Sequence, residues 1–235
     1  MAELVTIDLG RASYARAHRL QRRLHARVLG AEEERAYLIL VEHDPPVITL
    51  GRGADPAHLT ATRDRLRREG IEVHAVERGG DVTYHGPGQL VAYPILRLDL
   101  HGRDVRRYLR DLEEVLIRTL DRFGVRGERL EGLTGVWVGP EKIAAVGIAV
   151  RRWITWHGVA LNVCPRLEHF GLIVPCGIRD RGVTSLARVL GREVTVAEVK
   201  PHLVECLVEV FGFERARPVE AAALAEAEEA EDGQG

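Results

Sequence analysis

The sequence predicts a single α/β domain. Apolar runs of strand length alternate along the chain with stretches of helical periodicity. No internal repeat and no linker-like stretch divides the 235 residues, a length that one α/β sheet can reach.

Each element has its own signal. Arg11 to Leu29 sets Ala and Leu at helical spacing among Arg and His, and Gly30 supplies a stop, so a helix is expected over 11–29. Ala36 to Glu42 is a short apolar run and reads as a buried strand. Asp44-Pro45-Pro46 breaks it, and Val47 to Leu50 resumes as another strand. A short helix is expected over 55–69, stopped at Gly70, followed by strands at 71–77 and 89–98. The clearest helix is 104–123, with Val105, Tyr108, Leu109, Leu112, Leu116 and Leu120 on one face and Gly124 after it. Strands follow at 133–138, 142–150 and 155–163, then helices at 183–190 and 196–211. The domain is expected to span 1–217. The Ala/Glu-rich tail, 218–235, lacks a broad apolar face and is expected to fray.

Composition excludes several function classes. An apolar content of 46% suits a globule with a sizeable core. No run of eighteen apolar residues exists to span a membrane. The N-terminal residues lack both a basic start and an apolar signal core, and Cys164, Cys176 and Cys206 are an odd set without CxxC spacing. Reduced thiols in the cytoplasm are therefore expected. The tail holds six acids and no base, so a chain of net charge −2 carries +4 on its first 217 residues. That charge could steer acidic partners, but it is no nucleic-acid patch. Among 33 cations only Lys142 and Lys200 are lysines. No HExxH pair, GxSxG elbow, P-loop or GxGxxG turn occurs, and most of the ten histidines are expected on solvated surfaces, so no metal or nucleotide cofactor is expected.

Three segments carry chemistry. In Arg78-Gly79-Gly80-Asp81-Val82-Thr83-Tyr84-His85-Gly86-Pro87-Gly88-Gln89-Leu90, glycines let backbone N–H groups approach a ligand; a plain hairpin between the flanking strands is the competing reading. Lys142 through Val150 and Trp156 through Val163 are apolar strands rich in Gly and Ala, able to form a core or to line a slot for an alkyl chain. Lys142 stands at the start of this pair, and lysine, unlike arginine, can lose its proton or lower the pKa of a nearby thiol. In Ile173 through Leu186, Cys176 sits between Pro175 and Gly177, which predicts an accessible turn, whereas Cys164 and Cys206 read as inert buried thiols.

Together and in this order, these segments closely resemble the octanoyltransferases of lipoate synthesis, over roughly the middle half of the chain. The resemblance implies an α/β (α+β) fold with a mixed sheet flanked by helices, as in the biotin and lipoate protein ligases. It implies transfer of octanoyl from octanoyl-acyl carrier protein to a lysine of lipoyl domains, those of 2-oxoacid dehydrogenase E2 subunits and of glycine cleavage H protein. It also implies that Cys176 forms the thioester and Lys142 activates it. Acyl-binding positions map to Arg78, Gly79, Gly80, Asp81, Val82, Thr83, Tyr84 and His85, to Ala145, Val146 and Gly147, and to Gly158, Val159 and Ala160. Thioester exchange needs no ATP. Lys142, His85 or His157 could take the acceptor proton, and backbone N–H groups near Cys176 or in the 78–88 loop could hold the oxyanion. The competing functions are an ATP-dependent lipoate-protein ligase, which would need a phosphate loop and no cysteine, and a scaffold that binds acyl-carrier or lipoyl domains without chemistry.

Overall fold

In the computed structural model, residues 3–30, 35–174 and 181–220 are described. The chain enters through a strand not expected from the sequence, β1 (Leu4–Ala12), and then forms α1 (Tyr14–Gly30). The alternation of β1 breaks where its pairing shifts between Asp8 and Arg11, around Gly10 at φ 57°. Ser13 explains why α1 starts later than expected: its Oγ accepts from Arg16 N at 3.3 Å, an N-terminal cap. Next come β2 (Ala36–His43) and β3 (Val47–Leu50).

The helix expected over 55–69 is two pieces, a 3₁₀ turn at Pro56–His58 and α2 (Arg63–Arg68), capped by Asp55 and Thr62. Between them Leu59 is extended and bridges to Ile173, which interrupts the helix. There follow β4 (Glu72–Ala75), β5 (Val82–His85), β6 (Gln89–Ile95) and α3 (Val105–Asp121). Then come β7 (Glu128–Leu130), β8 (Leu133–Val138), β9 (Glu141–Arg151) and β10 (Ile154–Asn162). The last elements are α4 (Leu186–Leu190), α5 (Val196–Phe211) and β11 (Ala216–Pro218).

The strands form an eight-stranded mixed sheet in the order β11-β1-β2-β6-β10-β9-β8-β7, with β11, β1 and β2 parallel and the rest antiparallel. A second sheet runs β4-β3-β5. The hairpin reading of 78–88 therefore fails. Both β4 and β5 pair with β3, while β6 belongs to the large sheet.

Helices cover both faces of the large sheet, and β2 shows why its sequence is apolar throughout. Leu38 and Leu40 face Leu112, Leu116 and Leu203 of α3 and α5, whereas Tyr37, Ile39 and Val41 face Leu20 and Leu24 of α1. Each fully buried leucine adds about 2 kcal/mol. The strand β11 pairs with Leu4–Thr6, and Val219 N donates to Thr6 O at 2.8 Å, so the chain is docked to this point. The acidic tail beyond residue 220 lies outside the described residues. No described helix is long and apolar enough to cross a membrane.

Candidate active site

Between the two sheets lies a cavity of about 410 Å³. Its wall contains Arg78, Gly79, Gly80, Asp81, Val82, Thr83 and His85 from the glycine-rich segment, and Lys142, Ala145, Val146, Gly147, Gly158, Val159 and Ala160 from β9 and β10. Among the mapped positions Arg78 to His85, Tyr84 alone is turned away. It packs in the small sheet's core, where its hydroxyl bonds His169 Nδ1 at 2.7 Å and burial pushes its pKa up to about 12. Side-chain alternation along β5 causes this, since neighbours in a strand face opposite ways. Cys176 and the turn from Pro175 to Asp180 lie outside the described residues.

Glycines make the slot. In the β9–β10 ladder Gly147 stands opposite Gly158. A Cβ on Gly158 would lie 2.3 Å from Ala92 O, and one on Gly147 would lie 3.1 Å from Arg78 Cδ. The loop that carries Arg78 is pinned at several points. Gly79 N donates to Ile148 O at 2.8 Å, and Arg52 N to Arg78 O at 3.0 Å. Arg78 itself is buried, and its Nη2 donates to Thr49 O at 2.7 Å and Thr49 Oγ1 at 2.8 Å. Asp81 receives His58 Nδ1 at 2.5 Å and Asp55 N at 3.1 Å. Two N–H groups of the 78–88 loop are thus engaged within the protein: Gly79 as above, and Gly88 with Glu42 Oε2 at 2.9 Å.

Lys142 is half-buried, with its Nζ 4.8 Å from the centroid of the Trp137 ring. Its backbone joins the segment that follows Cys176: Lys142 N donates to Gly182 O at 2.9 Å, and Thr184 N to Lys142 O at 3.0 Å. This pairing shortens the helix expected over 183–190 to Leu186–Leu190. On the other side of the cysteine segment, Val174 N donates to His58 O at 2.8 Å.

A polar relay crosses the cavity. His85 Nδ1 is 2.7 Å from Gln89 Oε1, Gln89 Nε2 donates to Asn162 Oδ1 at 2.9 Å, and Asn162 Nδ2 donates to Thr184 O at 3.0 Å. Because the glutamine oxygen accepts, His85 carries its proton on Nδ1 and leaves the Nε2 lone pair free to accept. Burial lowers its pKa to about 4, so the ring is neutral near pH 7.

The histidines depart from expectation. His25, His43, His85, His157 and His169 are buried rather than solvated. His43 Nε2 is 2.7 Å from Tyr93 Oη, and burial lowers its pKa to about 3. Cys164 also differs: it is exposed, and partial desolvation with Glu42 nearby raises its pKa. Cys206 is buried, as expected. Tyr14, Thr49, Tyr93 and Phe170 line the cavity without any motif to announce them. Gln89, His157 and Asn162 lie within the conspicuous segments.

A family profile described as the lipoyl protein ligase A/B catalytic domain matches residues 13–208. An octanoyltransferase of Chloroflexus aggregans is 50% identical over 224 residues, 94% of this chain and 99% of that protein. The chain belongs to the octanoyltransferase family. The fold expectation is met as well. A bipartite lipoate protein ligase from Thermoplasma acidophilum, solved in work on its E2 lipoyl domain, superposes at a TM-score of 0.75 with 18% identity, covering 97% of this chain and 92% of that one. A biotin protein ligase from Aquifex aeolicus, in complex with biotin and ATP, superposes at 0.52 with 15% identity, covering 90% and 71%. At these identities the two structures speak to the fold alone. Membership in the family rests on sequence.

Proposed function

We infer that the chain is an octanoyltransferase of lipoate biosynthesis that moves its acyl group through a thioester on Cys176. The observation that supports this best is the convergence of the glycine-rich segment with β9 and β10 on one apolar slot, with Lys142 in its wall. The donor is octanoyl-acyl carrier protein. The acceptors are lipoyl domains of the 2-oxoacid dehydrogenase E2 and glycine cleavage H protein type. The cytoplasm is the compartment that suits both.

Cys176 is favoured over the other thiols by elimination. Cys206 is sealed in α5, and the Cys164 thiol is shifted away from thiolate. In the first half-reaction, the Cys176 thiolate attacks the donor carbonyl and expels the carrier thiolate, which takes a proton from the Lys142 ammonium. In the second, the acceptor lysine amine attacks the acyl-cysteine, gives up a proton and expels the Cys176 thiolate. The Nε2 lone pair of His85 and the now neutral Lys142 are suited to receive that proton, and His157, the third candidate, also lines the cavity. Neither step consumes ATP.

Incubation with octanoyl-acyl carrier protein, without ATP, tests the scheme by intact mass. One octanoyl adduct on the parent and none on Cys176→Ser is the expected pair of results. A Cys176→Ser variant that transfers octanoyl at the parent rate would sink it.

A further inference from the structure

His18, Glu77 and His157 come from three separate elements: α1, the connection after β4, and β10. Their ligand atoms all lie within 4.8 Å of one another. Glu77 Oε2 is 3.1 Å from His18 Nε2 and 3.7 Å from His157 Nε2. The pairing of His18 with Glu77 is an ordinary hydrogen bond and accounts for two of the three residues.

His157 is the residue it leaves unexplained. The residue is only 2% exposed, yet its Nε2 has no hydrogen-bond partner. A buried polar atom left this way is destabilising, because it gives up its hydration without a replacement bond. Its backbone is strained too, with φ at 55° in the middle of a strand, a left-handed conformation unfavourable for a non-glycine residue. The strained turn is held in place by Gln21, whose Oε1 accepts from His157 N at 2.8 Å. Two unfavourable features thus coincide at one imidazole nitrogen, 3.7 Å from a carboxylate oxygen and beyond hydrogen-bond reach of it.

We propose that His18, Glu77 and His157 form a site for a first-row divalent cation of the zinc type, bound by two imidazole nitrogens and one carboxylate oxygen. This donor set suits zinc, and ligands at about 2.0–2.2 Å from a tetrahedral ion stand about 3.3 Å apart. The two carboxylate–imidazole spacings bracket that value. Aromatic rings surround the site as a shell: His18 stacks on Tyr14 and Trp156 at 5.6 and 5.8 Å between centroids. The positive charge of Arg78 acts on His157 and opposes the cation, so moderate rather than extreme affinity is expected. Sequence spacing could not reveal the site, because its residues are 59 and 80 positions apart.

The cation would be structural. Glu77 directly precedes the Arg78–Gly80 loop, so the ion would tie that loop to α1 and β10 at one end of the cavity. Lys142 is six residues along β9 from Ile148, the partner of His157, hence about 20 Å from the metal end. The inference stands independently of the acyl-transfer reading.

The test uses the full chain, stripped with chelator, in a Cys164→Ser/Cys176→Ser background that removes competing thiols. Zinc alone is titrated against a chromophoric chelator, and cobalt(II) reports the coordination sphere. One equivalent should bind, with intense cobalt visible bands and no sulfur charge-transfer band, and zinc should raise the melting temperature. Affinity should fall about 100-fold or more in His18→Gln, Glu77→Gln and His157→Asn. Asparagine tolerates the left-handed backbone, so the last variant keeps the strand. Absence of saturable zinc binding overturns the proposal. So does parent-like affinity in His18→Gln, a change on a half-buried helix face that decides the matter even if His157→Asn does not fold.

Discussion

The backbone of Lys142 donates to Gly182 O at 2.9 Å, so the strand bearing the lysine is laddered to the chain six residues beyond Cys176. Moving the amine without moving this ladder isolates its chemistry. In Lys142→Met the fold should persist while octanoyl transfer falls about 10²–10⁴-fold. If Lys142 activates the thiol as proposed, alkylation of Cys176 by iodoacetamide should slow in parallel, because the variant lacks the ammonium. Unchanged alkylation kinetics in Lys142→Met would remove the lysine from this role.

The opposed pair Gly147 and Gly158 governs what fits in the slot. Gly147→Val places methyl groups against Arg78, which Thr49 holds in place. The expected result is a drop in kcat/KM for octanoyl donors of about 10–100-fold, with shorter acyl chains losing less. Equal losses for butanoyl and octanoyl donors would show that the slot does not measure the chain.

Asn162 joins Gln89 to Thr184 and so links the glycine-rich segment to the one after Cys176. Asn162→Leu leaves Gln89 Nε2 and Thr184 O without these bonds, at a cost of about 1–3 kcal/mol in chemical unfolding. Activity should fall further than stability explains, since Gln89, the partner that fixes the His85 tautomer, keeps only its bond to Tyr84 O at 3.2 Å. A variant with parent stability and parent rate would make the relay incidental.

His43 and His85 have pKa values lowered to about 3 and about 4, against about 6.5 unfolded. A depressed histidine favours the folded state above the unfolded pKa and loses that contribution as pH falls. Their contribution to stability should therefore be level above about pH 7 and decline between about 6.5 and 3. These two rings alone give a slope approaching two protons, about 3 kcal/mol per pH unit, to which buried His157 adds in the same direction. Urea midpoints measured from pH 8 to pH 4.5 check this; a flat profile would show that these rings are not held neutral.

Most of the architecture was legible because β2, β6 and β10 are buried on both faces and, with the partly buried β9, write mostly apolar runs. What stayed hidden has physical causes. The bulge in β1 breaks its alternation, and β5 is a four-residue strand inside a glycine-rich segment whose pairing with β3 is non-local. For the site, glycines and a scarce lysine were visible because backbone approach and a titratable amine demand particular residue types. The buried histidines escaped because imidazole is common on surfaces, and nothing local distinguishes His43 from an exposed neighbour. Tyr14 and Tyr93 reach the cavity only through packing of α1 on β6.

The shortage of lysine has a consequence for an enzyme whose product is an acylated lysine amine. Of its own two lysines, Lys200 is clamped by both carboxylate oxygens of Asp8 at 2.8 Å, and Lys142 is set in the cavity wall. The 31 arginines that carry the remaining positive charge are not amines and do not form stable amides with a thioester. On the thioester mechanism proposed above, an activated acyl group would sit beside a cationic surface that offers it almost no amines, and any self-modification during prolonged incubation without acceptor should be confined to Lys142.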